Sequence, residues 1–395
     1  MKNKTLLLSV LVAASTAFAQ TKEIHFEKSS FADIKAKAKK ENKLIFIDAY
    51  TSWCGPCKWM AANVFTNDTV ADYFNTKFIN AKIDMEKGEG PEIAKLYDVR
   101  CYPNLLFIDG EGKLIHRGAG GLKTKQLIEL ADNAFNPEKR FSKYTSEYAS
   151  KKTDATFLLN YMDALDRGCL PADDVLKDYF ATQKEENFTN RQNWTAIYNY
   201  TNDYNSKEFA YLLKNIDVYK KLYTADSVNQ KVKGVLIQSG YRAVFKRDGV
   251  SDAGYNTYVS EMRGLNNGIA DQAVFNISLA YYENKKDWAT YSKIFAEQAD
   301  KYLKEPEEIN NVSWNLYENS DNKNALLKAE FLMSKIVEGS EWFVYDTYAA
   351  VLYKLNKKKE AKAAAEKAIE MAKKEGAAED DYKGTKELLK KIDKL

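Results

Sequence analysis

Between Leu44 and Met60 the chain reads LIFIDAYTSWCGPCKWM. An apolar run leads through a short turn into two cysteines separated by Gly55-Pro56, and a helical pattern follows. A continuous apolar run of this length suits a strand buried on both faces. The stretch thus reads as a buried strand delivering a cysteine pair to the head of a helix. Cys54 falls where unpaired helix N–H groups and the dipole favour a thiolate. Cys57 lies one turn further in, placed to attack a mixed disulfide formed on Cys54. Taken alone, a CxxC is equally half of a zinc site, so the surroundings have to decide.

The 395 residues hold 45% hydrophobic side chains, enough for two or more packed domains. Residues 1–19 read as a secretory signal peptide. Lys2 and Lys4 form the basic end, Leu6 to Val12 the apolar core, and Ala17-Phe18-Ala19 the cleavage site. Without Lys2 and Lys4, 57 of the 59 basic residues face 56 acidic ones. No global field then argues for nucleic acid or an anionic membrane. No later stretch is long and apolar enough to span a bilayer, so no membrane span is expected after signal cleavage. The expected location is periplasmic or secreted. Four cysteines are too few for a disulfide scaffold in a chain of this size, and a CxxC pair in an exported protein points to redox chemistry. With two histidines, His25 and His116, and no ligand cluster around them, neither a metal nor another cofactor is expected.

Residues 20–136 alternate between strand and helix patterns. Strands are expected at Ile24–Phe26, Leu44–Ala49, Phe78–Asp84, Asn104–Ile108 and Leu114–Arg117. Helices are expected at Phe31–Glu41, Cys54–Phe65, Thr69–Phe74, Pro91–Tyr97 and Thr124–Phe135. Asp109-Gly110-Glu111-Gly112 is the hairpin turn between the last two strands. The sum is an α/β sandwich with a mixed sheet. Asn136-Pro137 marks a boundary, after which helical spacing takes over. Residues 141–270 read as helical hairpins without a readable repeat. In 271–395, Ala289, Ala325 and Ala361 recur 36 residues apart, each opening a helix after a polar turn. Tyr345, Tyr348, Ala349 and Leu352, followed by Ala361, Ala365, Ala368 and Ile369, form the best unit, which resembles the tetratricopeptide repeat. The fold class is thus an α/β domain followed by an all-α helical-repeat domain. The many tyrosines read mainly as core of the helical array.

With the dithiol placed after a buried strand, LIFIDAYTSWCGPCKWM and VRCYPNLLFIDGEGKL together resemble thioredoxin, and the α/β domain is expected to be thioredoxin-like. The extra segment Phe65–Lys77 is more similar to exported thioredoxin-like domains. The resemblance implies that Cys54 is the nucleophile, Cys57 the resolving thiol, and the two a redox-active disulfide. Asp48 would be a buried carboxylate that accepts the proton of Cys57 through water; burial in an apolar strand would raise its pKa. Pro103 would be a cis-proline facing the dithiol, leaving the Tyr102 backbone to pair with an extended substrate. Trp53, Gly55, Pro56 and Tyr102 would line the substrate surface. Lys82, on the strand ending at Asp84, is a candidate charged neighbour of Asp48, but aligning Ile83-Asp84 to the family puts Asn80 at the usual lysine position, so Lys82 is left out of the site. Cys101 reads as a passive small residue, with a third redox thiol or an intermolecular bridge as alternatives. Cys169 reads as an unpaired thiol.

The function expected is an exported thiol–disulfide oxidoreductase that reduces disulfide-containing protein substrates and is recharged by an inner-membrane thiol–disulfide electron donor. The rivals are a redox-sensing scaffold that holds a protein partner on its helical repeats, and a disulfide isomerase-like chaperone.

Overall fold

The structure, a computed structural model, describes residues 22–395. The leader expected at residues 1–19 lies outside them. The chain divides into two compact units, meeting between Tyr200 and Thr201.

The first unit is built on a five-stranded sheet. Its strands are β1 (Phe26–Glu27), β2 (Leu44–Tyr50), β3 (Phe78–Asp84), β4 (Asn104–Ile108) and β5 (Leu114–Ala119), in the order β1-β3-β2-β4-β5. β3 pairs in parallel with both β1 and β2, while β2–β4 and β4–β5 are antiparallel. Central β2 is covered on both faces, which is why its apolar run hardly alternates. Phe46 packs with Met60, Val64, Phe74 and Leu127 on one side. Ile45, Ile47 and Ala49 pack with Phe31, Ile34, Ala38 and Ile93 on the other.

Five helices supply those partners: α1 (Phe31–Glu41), α2 (Gly55–Asn63), α3 (Asp68–Lys77), α4 (Gly90–Leu96) and α5 (Thr124–Phe135). Ser30 caps α1, its Oγ accepting the Asp33 N–H, and Asn67 caps α3 in the same way. The expected strand at Ile24–Phe26 is displaced to Phe26–Glu27 because the preceding amides are used elsewhere. Ile24 N–H donates to the Phe65 carbonyl at 2.9 Å and His25 N–H to Asn75 Oδ1 at 2.8 Å, leaving Ile24 as a buried plug. The Asp109–Gly112 turn closes with Asp109 Oδ1 accepting from Glu111 and Lys113, and Gly112 takes a φ of +87°.

Four more helices complete the unit: α6 (Phe141–Glu147), α7 (Ala155–Arg167), α8 (Asp173–Thr182) and α9 (Arg191–Tyr200). α6 and α7 pack against β5. His116, buried on β5, accepts the Phe141 N–H at Nδ1 over 3.0 Å and so fixes the start of α6.

The second unit is helical apart from the two-residue strands β6 (Phe245–Lys246) and β7 (Gly249–Val250). Its helices are α10 (Lys207–Lys214), α11 (Ile216–Tyr223), α12 (Ala225–Val244), α13 (Asp252–Gly264), α14 (Gly268–Asn284), α15 (Trp288–Tyr302), α16 (Pro306–Asn319), α17 (Lys323–Ile336), α18 (Trp342–Lys354), α19 (Lys358–Lys374) and α20 (Lys383–Asp393). In the last third, neighbours pair as α14–α15, α16–α17 and α18–α19, and the pairs stack through α16 on α18 and α15 on α17. The second helices begin at 288, 323 and 358, a period of 35 residues, one shorter than the alanine spacing. The alanine therefore drifts by one position, about 100° of helix, per repeat. Ala325 and Ala361 are buried at the helix contact, whereas Ala289 has turned out to solvent. Tyr258 and Tyr291 are fully buried in this unit.

Candidate active site

Cys54 and Cys57 are joined as a disulfide at the head of α2. Cys54 is the residue that caps the helix, and its Sγ accepts the Cys57 N–H at 3.1 Å. Pro56 fits the first turn, where a missing N–H costs nothing and its φ is already helical. A thiolate on Cys54 would thus be stabilised by a directed amide as well as by the helix dipole. Both cysteines are almost fully buried, while Gly55 and Pro56 are exposed.

Asp48 is fully buried, two residues after Phe46 on β2, and so shares the sheet face that carries α2. Cys57 lies on the buried stripe of α2 that continues to Met60. The carboxylate and the second cysteine therefore occupy the same layer between sheet and helix. Asp48 Oδ2 accepts from Lys82 Nζ at 2.6 Å, and the two residues are direct register partners across β2–β3. Lys82 is therefore the charged neighbour of Asp48, correcting the alignment that put Asn80 in that position. Asn80 lies one pleat away, opposite Phe46. The pairing bears out the candidate neighbour read in the sequence: a lysine inside an apolar strand needs a counter-charge, and Asp48 is the carboxylate in the neighbouring buried strand. Burial holds the Asp48 carboxyl above the ordinary carboxylate range, with Lys82 pulling it back in part. Oδ1 has no protein partner. The lysine side chain is about a quarter exposed and lines two surface cavities of about 390 and 420 Å³, so the pair is open to solvent on that side.

Around the disulfide, the Tyr102–Pro103 peptide is cis and leads directly into β4. The Pro103 carbonyl accepts the Gly120 N–H at 2.9 Å. Trp53 is 65% exposed and stands edge-on to Tyr102, with ring centroids 6.0 Å apart. Its indole N–H donates to Glu86 at 3.0 Å. Gly121 lies beside this rim, where a Cβ would come into van der Waals contact with the Pro56 ring at 3.4 Å. Trp53, Gly55, Pro56, Tyr102 and Pro103 thus come together with Cys54 and Cys57 along one end of the sheet.

The other two cysteines are bonded to each other. Cys101 and Cys169, 68 residues apart in sequence, form a second disulfide with Cα atoms 6.3 Å apart. Cys101 is therefore neither a passive small residue nor a bridge to another chain, and Cys169 is not an unpaired thiol. The packing of α6 and α7 against β5 produces this result, because it brings the end of α7 to the loop before β4. Beneath the pair lies Arg117, only 2% exposed. It donates to the carbonyls of Tyr97 at 2.8 Å and Asp98 at 3.2 Å, and to Asn104 Oδ1 at 3.2 Å. Burial lowers its pKa to about 10.

A mixed five-stranded sheet with a cysteine pair capping α2 and a cis-proline before the adjacent strand defines a thioredoxin-fold domain. A family model described as Thioredox_DsbH, a protein of unknown function (DUF255), matches residues 17–104. Thioredoxin Y, chloroplastic, from Oryza sativa subsp. japonica is 29% identical over 127 residues, covering 32% of this chain and 72% of the relative. The thioredoxin-like protein slr0233 of Synechocystis is 30% identical over 102 residues, 26% of this chain and 91% of that protein. The solution structure of a putative disulphide-isomerase from Bacteroides thetaiotaomicron has 43% identity, covers 30% of this chain and 98% of its own, and gives a TM-score of 0.28. The chain belongs to the thioredoxin-like proteins, whose members are thiol–disulfide oxidoreductases.

Proposed function

We propose that this chain is an exported reductase of protein disulfides, working through Cys54 and Cys57. The Cys54 thiolate attacks one sulfur of a substrate disulfide, forming a mixed disulfide and releasing the other substrate sulfur as a thiolate. Cys57, deprotonated through water by Asp48, then attacks Cys54 Sγ. The Cys54–Cys57 disulfide closes and the second substrate thiolate leaves, so two electrons pass to the substrate. A thiol–disulfide donor at the inner membrane returns them. Trp53, Gly55, Pro56, Tyr102 and Pro103 form the surface on which an extended substrate segment lies. The helical-repeat part, tetratricopeptide-like in its final third, holds a protein partner, and residues 1–19 direct export.

The observation that carries this reading is the placement of Cys54 as the helix cap, with the buried Asp48 carboxyl, paired to Lys82, in the layer beneath. In this reading the nucleophile and the resolving thiol share the head of α2, while the proton acceptor stands on β2 in the same sheet–helix layer. Reduction of insulin disulfides tests it. Cys54→Ser should abolish turnover, whereas full turnover by that variant would refute the proposal.

A further inference from the structure

We propose that Cys101 and Cys169 form a second disulfide site whose task is positioning. Closed, it holds the loop that presents Tyr102 and Pro103 so that an extended peptide can dock; open, it leaves the chemistry of Cys54 intact but poorly matched to protein substrates. This rests on the reading of Cys54–Cys57 as the exchange centre.

Three observations carry the inference. First, Cys101 immediately precedes Tyr102, so the bond acts on the substrate-facing loop itself. The same loop is gripped from below by Arg117, through the Tyr97 and Asp98 carbonyls and Asn104. Second, the other anchor is built for precision. Gly168 ends α7, and Leu170 N–H donates to the Leu165 carbonyl at 2.8 Å while Cys169 N–H donates to Asp166 at 2.9 Å. In this C-terminal motif the left-handed position usually belongs to glycine. Here Cys169 occupies it, at φ 58°, although the residue before it is a glycine. Gly168 is needed where it stands, because a Cβ there would lie 3.0 Å from the Arg117 side chain. A cysteine is thus held in a left-handed conformation that disfavours a residue with a Cβ, and its sulfur meets Cys101. Third, Asn104, the residue after Pro103, donates to the Gly168 carbonyl at 3.4 Å, so the end of α7 contacts both flanks of the Tyr102–Pro103 step. Both cysteines are only partly buried, so the bond is open to thiols in solution. Opening it consumes two electrons and two protons from a dithiol, which is itself oxidised to a disulfide.

Such a loop, fixed in advance, spares a docking peptide the cost of ordering it, while a small thiol that needs no docking surface gains nothing. The test uses the oxidised full-length chain and a Cys101→Ser/Cys169→Ser double variant, which retains the Cys54–Cys57 bond. Reduction of that bond is followed by alkylation and peptide mapping with two probes, an extended peptide carrying a cysteine pair and 2-mercaptoethanol. The peptide rate constant should fall about fivefold in the variant, with the 2-mercaptoethanol rate unchanged. Equal peptide rates in the two proteins, or an equal fall with both probes, would overturn the proposal. So would alkylation of Cys101 or Cys169 in the unreduced native chain. Should the serine variant fail to fold, Cys101→Ala/Cys169→Gly, which suits the left-handed position, is read in the same way. Failure of the wild-type Cys54–Cys57 bond to react with either probe would instead refute the exchange reading.

Discussion

The two cysteine pairs of this chain sit at opposite extremes of locality. Cys54 and Cys57 are three residues apart within one helical turn, and their juxtaposition requires nothing beyond α2 itself. Cys101 and Cys169 are 68 residues apart, and they meet only after β4 and β5 have paired and α6 and α7 have packed on the sheet edge. The first pair has a helix N-terminus and an amide directed at Cys54. The second joins a loop to a helix C-terminus, where no such amide array exists and the dipole disfavours a thiolate. The difference suits the local pair to exchange and the distant pair to holding.

The largest effect on one pair without the other is expected from Asp48→Asn. Loss of the proton acceptor should slow the resolving step at neutral pH by about 100- to 10,000-fold, while the first attack by Cys54 proceeds and Cys101–Cys169 stays closed. Stopped-flow release of the two substrate thiols separates these steps. The same substitution has a stability signature of determined sign. Burial raises the folded carboxyl above its ordinary value of 3.8, so folding the ionised chain carries a cost. That cost vanishes below the unfolded pKa and grows as pH rises toward the folded one. The variant should therefore gain stability relative to wild type as pH rises above about 4 in urea denaturation.

A smaller effect, on the distant pair's side of the fold, comes from His116. Its pKa falls from 6.5 to about 4, through burial first and the nearby Arg167 second. Protonation would compete with the bond that Nδ1 accepts from Phe141, and Nε2 has no protein partner. The unfolded chain takes up this proton as pH falls through 6.5 and the folded chain resists until about 4. The contribution is complete above 6.5 and is lost across that window, amounting to about 3 kcal/mol. His116→Gln should flatten this part of the acid-denaturation curve. An unchanged curve would dissociate His116 from the docking of α6.

What could be read in the sequence follows the same divide between local and distant. The Leu44 run, the cysteine pair, Pro103 and the ends of α1, α5, β3 and β4 depend on a few neighbouring residues, and patterning exposes them. β1 moved because two amides found partners around 40 to 50 residues away, at Phe65 and Asn75. Lys82 escapes alignment, which counts residues along one strand, whereas its pairing with Asp48 depends on the register between two. The Cys101–Cys169 bond was hidden by its loop of intervening structure, and the left-handed backbone at Cys169 has no sequence signature when a glycine stands beside it. Ala289 shows the limit of a repeat read from one residue type: a spacing of 36 over a helical period of 35 carries the marked residue out of the contact.

The division of labour between the pairs is tested most directly by trapping the full-length Cys57→Ser chain with a disulfide-bearing substrate peptide and mapping the adduct by mass spectrometry. A mixed disulfide on Cys54 is expected, with Cys101 and Cys169 still joined to each other. Substrate attached to Cys101 or Cys169, or no adduct on Cys54, would contradict that division.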